Sequence, residues 1–574
     1  MRWFNKNRPD VILLHAPSIY DFRKTSVVYG PVSDLVPSTP IFEMYPIGFA
    51  SIASHLEKNG INVRIINLAL RMLKNHRFDV EKYIRTLNPL LFGIDLHWLP
   101  HCHGSVEIAR IVKRVHPETP IVFGGFSASY FHQELIGYPE VDFVLRGDST
   151  EEPMRMLVLQ LKNGQDFGRI PNLTWKKNGQ VFENPLSYIP QNIDDFDIGY
   201  EYMVKSVWKY RDLTSILPFR EWLKYPIMAA FASRGCNCNC VFCGGSNYSF
   251  RGFLKRDKTA FRSPEAVVKE VKGIAQISRG PIFILGDIRL GGKDYIDKIL
   301  EGLAEPKINN QVIFEFYNPP PEDFFVRAAE IFPHHSYEMS LESHDEAVRS
   351  ALGKGYSNQA IEEALKAALT HSSERFDLYF LVGLPRQTAK SVLDTVSYCR
   401  ELYEKFNGDK RLRFFISPLA PFLDPGSRAF EHPEKFGYRM IWRTLEEHRQ
   451  ALLKPSWKYI LNYETEWMTR DEIVDVTYRA ALELNEVKRE YGIIDEEVAE
   501  RTRKRVLDAM DITKKIDEIM ETEDREKRER KLALFRDEID RSSISTVCEK
   551  RELEWPVPNL INFRVLELLK VVLS

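Results

Sequence analysis

The sequence predicts an α/β protein with two successive α/β units and a helical C-terminal region. Short apolar runs alternate with amphipathic segments up to about residue 160, the alternation returns between about 226 and 430, and it then stops. Short apolar strands bounded by turns are typical of a parallel sheet that is covered on both faces. We therefore expect a doubly wound domain at 1–160, a linker with a hairpin at 161–225, a partial (β/α)6 barrel at 226–430 and helices at 431–574.

Length and composition agree with several ordinary globular units. At 574 residues the chain is too long for one core, because domains typically hold about 100 to 200 residues. Its 79 basic and 81 acidic residues give no general attraction to nucleic acid or to an anionic membrane. The first apolar run, VILLH, is too short for a signal peptide, and no run approaches the roughly 20 residues that span a bilayer. We expect a cytoplasmic protein that does not bind nucleic acid and does not span a membrane.

The first unit contains five candidate strands with amphipathic segments between them. In the helix predicted at 47–58, Ala50, Ala53 and Leu56 fall on one face, and Gly60 supplies the stop. A doubly wound sheet binds its ligand at the carboxyl edge, where the strand order reverses. The candidate strands are 11–14, 62–67, 90–94, 121–123 and 141–145.

Glycine follows two of these strands. Gly124 and Gly125 come directly after the fourth strand, with Ser127 just beyond, and Gly147 comes after the fifth. Glycine lets the backbone approach a bulky ligand closely. The pattern fits a plain tight turn equally well, so both interpretations stay open.

The second unit has six candidate strands separated by helical segments. One helix has Ser263 as its N-cap, and another runs from Ser357. Six βα units without a dinucleotide fingerprint favour a partial barrel over a second Rossmann sheet, although periodicity alone does not separate the two. The candidate strands are 227–232, 281–285, 312–316, 337–341, 378–382 and 414–417.

The linker and the C-terminal region have their own signals. In the linker, Asn178 and Gly179 suit the tight turn of a hairpin. Beyond about residue 430 no strand is expected, and Thr469 with Glu472 forms the capping box of a helix. The heavily charged stretch 493–541 is interpreted as a solvated helical face.

Four cysteines crowd into the segment SRGCNCNCVFCGGS, directly after the first strand of the predicted barrel. Thiolates hold iron–sulfur clusters, and three of them spaced Cys-x-x-x-Cys-x-x-Cys on one loop can ligate three corners of a four-iron cube. The fourth iron is then open to a substrate that chelates it. The cysteines with this spacing are Cys236, Cys240 and Cys243.

Three other interpretations of these thiols remain. Together with Cys238 they form a four-thiolate zinc knot, although structural zinc usually draws paired ligands from two separated loops. An electron-transfer cluster needs a fourth cysteine, and Cys238 is the near one, lying between two ligands. An inert buried cluster has no packing rationale for so many thiols.

This spacing and its place resemble the radical SAM superfamily, over about residues 225–430. The resemblance implies that Cys236, Cys240 and Cys243 hold a 4Fe–4S cluster, and that the amine and carboxylate of S-adenosylmethionine occupy the unique iron. The reduced cluster then cleaves the sulfonium to methionine and a 5′-deoxyadenosyl radical. Phe242 stands where the family places an aromatic residue beside the adenine.

The same resemblance implies further S-adenosylmethionine contacts at the strand ends. Gly286 and Asp287 stand in the position of the family's Gly-Gly-Glu, and this substitution puts the amine contact of Asp287 in doubt. Ser340 and Glu342 are candidates for the ribose, and Arg349 for the carboxylate, because guanidinium pairs well with carboxylate. Each of these residues alone also fits a surface ion pair. The turn expected to line the adenine contains Gly383, Leu384 and Pro385.

Several aromatic and histidine residues near these motifs admit two interpretations. FFISPLAPFLDPGS resembles the sixth-strand end of cobalamin-dependent members and suits a pocket for an apolar substrate, whereas FEFYNPPPEDFF fits core packing and a rigid turn better. His344 is a candidate proton acceptor or an ordinary residue at a helix start.

The first unit, with its YPIGF segment at 45–49, resembles the cobalamin-binding domain that precedes many radical SAM domains, over about residues 8–160. The resemblance implies a cobalamin whose nucleotide tail lies against Gly124 and Gly125. One departure concerns the Asp-x-His-x-x-Gly motif, which is absent after the first strand. The similar segment at 95–100 follows the third strand and ends in proline, so His97 is a poor candidate for a cobalt ligand. A small histidine and cysteine cluster there suggests metal but lacks regular zinc spacing: His97, His101, Cys102 and His103.

Three hypotheses follow. The first is a cobalamin-dependent radical SAM enzyme that methylates an unactivated carbon. The second keeps radical initiation without cobalamin and performs a carbon–carbon coupling, cyclisation or rearrangement, for example of a lipid. The third is a non-catalytic metal-binding interaction protein. The first two imply a small-molecule or lipid substrate and a reducing electron donor such as flavodoxin or ferredoxin.

Overall fold

A computed structural model describes residues 8–31, 39–164, 166–419, 422–541, 546–555 and 562–573. The strands are β1 (Val11–His15), β2 (Val63–Asn67), β3 (Leu91–Asp95), β4 (Ile121–Gly124), β5 (Phe143–Leu145), β6 (Leu173–Lys177), β7 (Gln180–Glu183), β8 (Met228–Phe231), β9 (Ser233–Arg234), β10 (Ala260–Phe261), β11 (Ile282–Leu285), β12 (Val312–Phe316), β13 (His335–Glu342), β14 (Arg375–Val382), β15 (Leu412–Pro418), β16 (Tyr438–Met440) and β17 (Tyr463–Thr465).

Helices lie between and after these strands. They are α1 (Ile47–Lys58), α2 (Leu68–Lys74), α3 (Val80–Arg85), α4 (Cys102–Val115), α5 (Phe126–Tyr130), α6 (His132–Ile136), α7 (Glu151–Asn163), α8 (Tyr200–Tyr210), α9 (Asn247–Gly252), α10 (Pro264–Ile277), α11 (Lys293–Ala304), α12 (Glu322–Ile331), α13 (Glu346–Ala351), α14 (Asn358–Thr370), α15 (Ala389–Lys405), α16 (Arg428–Glu431), α17 (Leu445–Ala451), α18 (Trp457–Ile460), α19 (Arg470–Glu490), α20 (Glu496–Met520), α21 (Arg525–Leu534), α22 (Arg536–Arg541), α23 (Lys550–Leu553) and α24 (Val565–Leu573).

The first five strands form the predicted doubly wound sheet. They are parallel, in the order β2-β1-β3-β4-β5, so the direction of winding reverses between β1 and β3. The wholly buried strand β1 explains why two helical layers are needed: Val11 and Leu13 pack into one core, and Ile12 and Leu14 into the other. The predicted hairpin is present as β6 and β7, and it extends this sheet because β6 pairs antiparallel with β5.

The second sheet is the predicted partial barrel. Its six strands are all parallel, in the order β8-β11-β12-β13-β14-β15, and β8 and β15 do not pair with each other. Ser263 and Ser357 cap α10 and α14, since each hydroxyl accepts a hydrogen bond from a first-turn N–H. A short antiparallel pair, β9 with β10, was not anticipated and holds the chain just before the cysteine loop.

The C-terminal region is mainly helical, and Thr469 forms the expected capping box of α19. The prediction that no strand follows residue 430 was wrong, because β16 and β17 form an antiparallel pair that lies over the barrel. At the other end of the barrel, Arg375 donates hydrogen bonds to the carbonyls of Glu552 and Glu554, and its guanidinium lies 4.4 Å from the ring centroid of Trp555. Within the described ranges, no helix is long and apolar enough to cross a membrane.

Buried ion pairs join the two α/β units. Arg256 is fully buried and donates to both carboxylate oxygens of Asp148, in the loop after β5. Arg234, on β9, donates to Glu151 at the start of α7 (Nη1 to Oε2, 2.9 Å). A buried charge is costly without its partner, so these contacts fix the carboxyl edge of the first sheet against the barrel.

The interface makes a prediction about stability. In Asp148→Ala the guanidinium of Arg256 loses its partner while staying buried, which typically costs about 3–5 kcal/mol. The exposed pair of Asp166 and Arg169 provides a control, since Asp166→Ala removes a contact worth about 0–1 kcal/mol. In urea denaturation followed by circular dichroism, the midpoint of the first unfolding transition should lie at a clearly lower urea concentration for Asp148→Ala than for the parent. Asp166→Ala should keep the midpoint of the parent. Equal midpoints for the two variants would contradict the role of this pair.

Candidate cobalamin and radical SAM site

The carboxyl edge of the first sheet carries a network of histidines at its switch point. His15 ends β1 and Asp95 ends β3, and their side chains meet with Nδ1–Oδ distances of 3.1 Å. His97 Nδ1 also contacts this carboxylate and lies 2.7 Å from Asp95 Oδ2. These contacts keep the pKa of Asp95 far below its usual value despite its burial, so the carboxylate is charged.

The predicted histidine and cysteine cluster is divided by the structure. His101 joins His15 and Asp95, with ligand atoms within 4.8 Å of one another, a spacing that a metal ion could use. Two of the histidine nitrogens have backbone partners, since His15 Nε2 lies 3.0 Å from the carbonyl of Phe42 and His101 Nδ1 lies 3.2 Å from that of Ala16. Cys102 and His103 are not part of this group: Cys102 packs in the core and His103 Nδ1 accepts from the backbone N–H of Tyr20.

A cavity of about 440 Å³ opens beside this network, on the α1 and α7 side of the sheet. It is lined by Gly124 and Gly125, and also by Gly93, His97 and Gly147. Contact of Gly124 and Gly125 with a cobalamin tail stays a prediction. Gly125 has φ +113°, and a Cβ there would lie 2.4 Å from the Cα of His97. Only glycine fits this turn, which leaves the strand ends open to a bulky ligand.

Ser127 lies close to this cavity but does not line it. It is buried in the first turn of α5. The neighbouring Ser129 orders the edge instead, because its hydroxyl donates to the carbonyl of Gly125 and accepts from the N–H of Gly147. Contact between Ser127 and cobalamin stays a prediction.

The cysteine loop follows β9 and is folded around its own sulfur atoms. The N–H of Cys238 points to Cys236 Sγ at 3.3 Å, and the N–H of Gly245 points to Cys243 Sγ at 3.3 Å. The Asn247 side chain donates to the carbonyl of Cys236. N–H···S contacts of this kind stabilise the thiolates that hold a cluster and tune the reduction potential of the cluster.

The thiols differ in their titration. A hydrogen bond from the Cys238 thiol lowers the pKa of Cys236, and the same bond raises the pKa of Cys238. Burial raises the pKa of Cys240 to about 11 and that of Cys243 further. Cys238 therefore supports its neighbour as a donor, and loading of metal on the three predicted ligands must release protons.

A hydrogen-bonded bridge links the cysteine loop to the edge of the first sheet. Asp424 Oδ2 accepts from the N–H of Gly244 at 3.0 Å, and Asp424 Oδ1 accepts from the indole Nε1 of Trp98 at 3.1 Å. Trp98 is next to His97 in the loop after β3. Burial raises the pKa of Asp424. A Cβ on Gly244 would lie 2.7 Å from that of Asp424, so the close approach requires glycine.

The Gly286–Asp287 turn lies at the end of β11. Glu315 Oε2 accepts from the N–H of Gly286 at 2.8 Å, and Asp287 accepts from Arg289 and from the N–H of Tyr317. The space beside Gly286 is open, since the nearest atoms to a Cβ there are hydroxyl oxygens at 3.8 and 3.9 Å. Asp287 thus already pairs with a cation, and its predicted contact with the methionyl amine stays a prediction.

Glu342 ends β13 at a bulge and has φ +67°. Its Oε1 accepts from Nζ of Lys354 at 2.7 Å, and the same ammonium donates to the carbonyl of Ser340. Burial disfavours the charged ammonium, but the Glu342 carboxylate outweighs that cost and the pKa of Lys354 lies above its usual value. The field of Lys354 also reaches Cys240, where it opposes the effect of burial. Ser340, Glu342 and the cysteine loop are therefore brought together.

Arg349 has a different environment from the one expected. Its guanidinium is fully buried and donates to the carbonyls of Ser343 and Tyr356 and to Oδ1 of Asn358. These contacts fix the turn after β13, and binding of a carboxylate would have to replace them. The cation beside Glu342 is Lys354, which the sequence patterns did not single out. His344 lies in the same turn and hydrogen-bonds Thr395 at 2.8 Å, which fits the structural interpretation.

Phe242 and the predicted adenine turn are neighbours. Phe242 is half-buried and packs with Leu384 in one apolar cluster. Gly383 has φ +97°, and Gln387 Oε1 accepts from its N–H at 2.9 Å. The Tyr438 hydroxyl donates to the Gly383 carbonyl, so the unanticipated β16 covers this turn. The next turn, PLAPF, partly lies outside the described residues.

Comparison with known proteins agrees with this arrangement. The B12 binding domain model matches residues 36–156, and the Radical SAM superfamily model matches residues 231–399. The chain is 26% identical over 378 residues to an uncharacterized methyltransferase of Pyrococcus horikoshii, covering 62% of this chain and 73% of the relative. It is 23% identical over 312 residues to the hopanoid C-3 methylase of Methylococcus capsulatus, covering 52% of each. The chain thus spans about half the length of the latter relative.

Solved structures show the same fold. OxsB, described as a cobalamin-dependent S-adenosylmethionine radical enzyme, superposes with a TM-score of 0.55 at 14% identity over 96% of this chain and 78% of its own. TsrM of Kitasatospora setae, a radical S-adenosylmethionine methyltransferase, superposes with a TM-score of 0.53 at 16% identity over 75% and 78%. The chain belongs to the radical SAM superfamily. Within it, the chain is one of the enzymes that carry a cobalamin-binding domain.

The residues fit the cofactors of this class, which are a 4Fe–4S cluster, S-adenosylmethionine and cobalamin. Three thiols on one loop, two of them with N–H donors, suit three irons of a cluster. The glycine-lined cavity beside His97 suits a bulky tail that enters at the edge of a doubly wound sheet. The hypothesis of a non-catalytic metal-binding protein is thereby set aside.

The assignment of the cluster ligands can be tested with two cysteine variants. Cys240→Ala removes a proposed iron ligand, whereas Cys238→Ala removes only the thiol that hydrogen-bonds Cys236. After anaerobic reconstitution, iron analysis should give about four irons per chain for the parent and for Cys238→Ala, and far fewer for Cys240→Ala. Iron loss in Cys238→Ala with retention in Cys240→Ala would overturn the assignment of ligands.

Proposed function

We propose that this enzyme transfers a methyl group from cobalamin to an unactivated carbon of a small-molecule substrate, after radical cleavage of S-adenosylmethionine. One observation carries the proposal: the Trp98–Asp424–Gly244 bridge sets the edge of the cobalamin-binding domain directly against the cysteine loop. The methyltransferase and methylase names of the relatives support the same reaction class.

The chain's own residues would divide the work as follows. Cys236, Cys240 and Cys243 hold the cluster, while Phe242 and the Gly383 turn receive the adenine. Gly124 and Gly125 leave room for the cobalamin tail. When bound, the cofactors supply a 5′-deoxyadenosyl radical for hydrogen abstraction and a methyl group for transfer.

Charges in the barrel support binding of S-adenosylmethionine. Ser340 and Glu342 are proposed to contact the ribose hydroxyls, and Lys354 Nζ donates to Glu342 Oε1 and so orients that carboxylate. Glu315 fixes the Gly286 backbone, which lines the open space beside the cysteine loop. Lys354, rather than Arg349, is the buried cation nearest to these groups and is our preferred partner for the methionyl carboxylate.

A second candidate keeps radical initiation but forms a ring or a carbon–carbon bond without methyl transfer. It is favoured by one relative, the anaerobic magnesium-protoporphyrin IX monomethyl ester cyclase of Synechocystis, which is 23% identical over 344 residues. The electron donor, proposed to be a flavodoxin or ferredoxin, and the cytoplasmic location stay predictions under either candidate.

Isotopic labelling separates the two candidates. The anaerobically reconstituted enzyme with cobalamin, a reductant and methyl-deuterated S-adenosylmethionine is incubated with cell extract, and products are analysed by mass spectrometry. We expect 5′-deoxyadenosine, S-adenosylhomocysteine and a product that carries the deuterated methyl group. Formation of 5′-deoxyadenosine without label in any product would refute methyl transfer and favour the second candidate.

Two glycine variants provide the matched control. Gly125 and Gly179 both have positive φ, but only Gly125 lines the cavity, and a Cβ on Gly179 meets nothing within 4 Å. Gly125→Ala should lose cobalamin and product labelling with its iron content unchanged, because the new methyl group displaces the loop at His97. Gly179→Ala should retain both cofactors.

A further inference from the structure

A second, larger cavity lies beside the open edge of the barrel. Its volume is about 1,420 Å³, above the ~300–1,000 Å³ of ordinary small-molecule sites. Strand β8 forms one wall, and helices α8 and α24, which pack against each other, form another. The lining is mostly apolar and aromatic, including Trp208, Trp222, Trp555 and Phe563.

The inner end of this cavity reaches the proposed reaction site. Leu285 lines it and immediately precedes Gly286. Glu338 also lines it, and Ser340 follows two residues later on the same face of β13, about 7 Å along the strand. A molecule that fills the cavity would therefore end next to the proposed S-adenosylmethionine contacts.

Glu338 is a polar group at this apolar inner end. No described residue forms a hydrogen bond or an ion pair with its carboxyl group, which is only partly buried and faces the cavity. Burial and the nearby carboxylates Glu315 and Asp377 raise its pKa well above the usual value. A neutral carboxyl group can donate a hydrogen bond to a hydroxyl or carbonyl oxygen of a ligand.

The outer end is rimmed by large apolar side chains that face solvent. Trp208 is 68% exposed, Val565 60% and Leu569 45%, and all three line the cavity. On the outer face of α24, Leu566 and Leu573 are 75% and 85% exposed and do not line it. A ligand inside the cavity would leave those two leucines in water, whereas an apolar surface outside the molecule would cover them together with the rim.

We propose that the cavity binds an apolar lipid substrate, and that the rim on α8 and α24 docks on a lipid bilayer from which the substrate enters. The lipid would have an elongated or polycyclic hydrocarbon body and one polar oxygen at the Glu338 end. This inference rests on the proposed function, since it names the substrate class for the same reaction site.

A bilayer is the occupant that suits the rim as a whole. The rim presents an exposed tryptophan on α8 and exposed leucines on α24, a short helix whose charged residues are Glu567 and Lys570, and side chains of this kind suit elements that lie in the membrane interface. A mouth placed against the bilayer lets an apolar substrate reach the cavity without crossing water. No spanning helix is needed for this contact, in agreement with the described helices.

The test uses the full chain without added S-adenosylmethionine or reductant. Phosphatidylcholine vesicles containing dehydroergosterol, a polycyclic lipid with one hydroxyl group, are mixed with the protein and sedimented. The protein is then separated from the vesicles, and the dehydroergosterol it carries is measured by mass spectrometry. We expect co-sedimentation and about one sterol per chain, the stoichiometry of a single site.

Two leucine variants test the rim. Leu569→Glu should weaken vesicle binding by about tenfold or more, because placing a charge at the rim forfeits at least about 1.4 kcal/mol of apolar burial. Leu534→Glu is the control, since Leu534 is 89% exposed on α21 and does not line the cavity. It should bind vesicles as the parent does.

Variants of the cavity wall test the lipid site separately. Ala229→Phe fills the inner part and should reduce the carried sterol while vesicle binding persists. If Ala229→Phe does not fold, Val207→Trp replaces it in the test. Val207 lies half-exposed on α8 and lines the cavity, so the larger side chain should also reduce the carried sterol while vesicle binding persists. Failure of the parent to co-sediment, equal losses in both leucine variants, or pairing of two chains through α24 in place of vesicle binding would overturn the proposal. Because no turnover is measured, loss of methyl transfer alone would leave this result intact.

Discussion

The structure depends on the buried contacts that fix the carboxyl edge of the first sheet against the barrel. Arg256 with Asp148 and Arg234 with Glu151 form charge pairs, and Asp424 accepts hydrogen bonds from both units. Each sheet ends in loops that suit one cofactor. The proposed cobalamin site and the proposed cluster site lie on different domains. Without this interface, the methyl donor and the radical source would not face each other.

The fold was largely predictable from the sequence, because its strands are short apolar runs that must be buried on both faces. Val11 to Leu14 illustrates this, with alternate residues entering two cores. Small elements were missed where tertiary contacts decide them. Strand β16 has only three residues, and its Tyr438 gains its place by hydrogen bonding to Gly383 across the site. No local pattern encodes such a contact.

The site was predictable only where its residues lie in local motifs. Local motifs identified the cysteines and the glycine turns, since spacing along one loop sets their chemistry. Residues that act across the fold are harder to find: Lys354 stands in no motif, and nothing local within FFISPLAPFLDPGS marks Asp424 as the acceptor for Trp98 and Gly244. Arg349 shows the opposite case. Its guanidinium is chemically suited to bind a carboxylate, but it already donates to carbonyls of its own turn. An acidic residue followed by a cation twelve positions later, as in Glu342 and Lys354, becomes meaningful only when β13 and its loop are folded.

The cobalamin and cluster sites are proposed to face each other across the Asp424 bridge. Electron paramagnetic resonance tests this arrangement most directly, in protein loaded with cob(II)alamin and with the cluster either oxidised or reduced. We expect faster spin relaxation of cob(II)alamin when the cluster is reduced, because two nearby paramagnets interact. Unchanged relaxation with both cofactors fully bound would contradict the proposed arrangement.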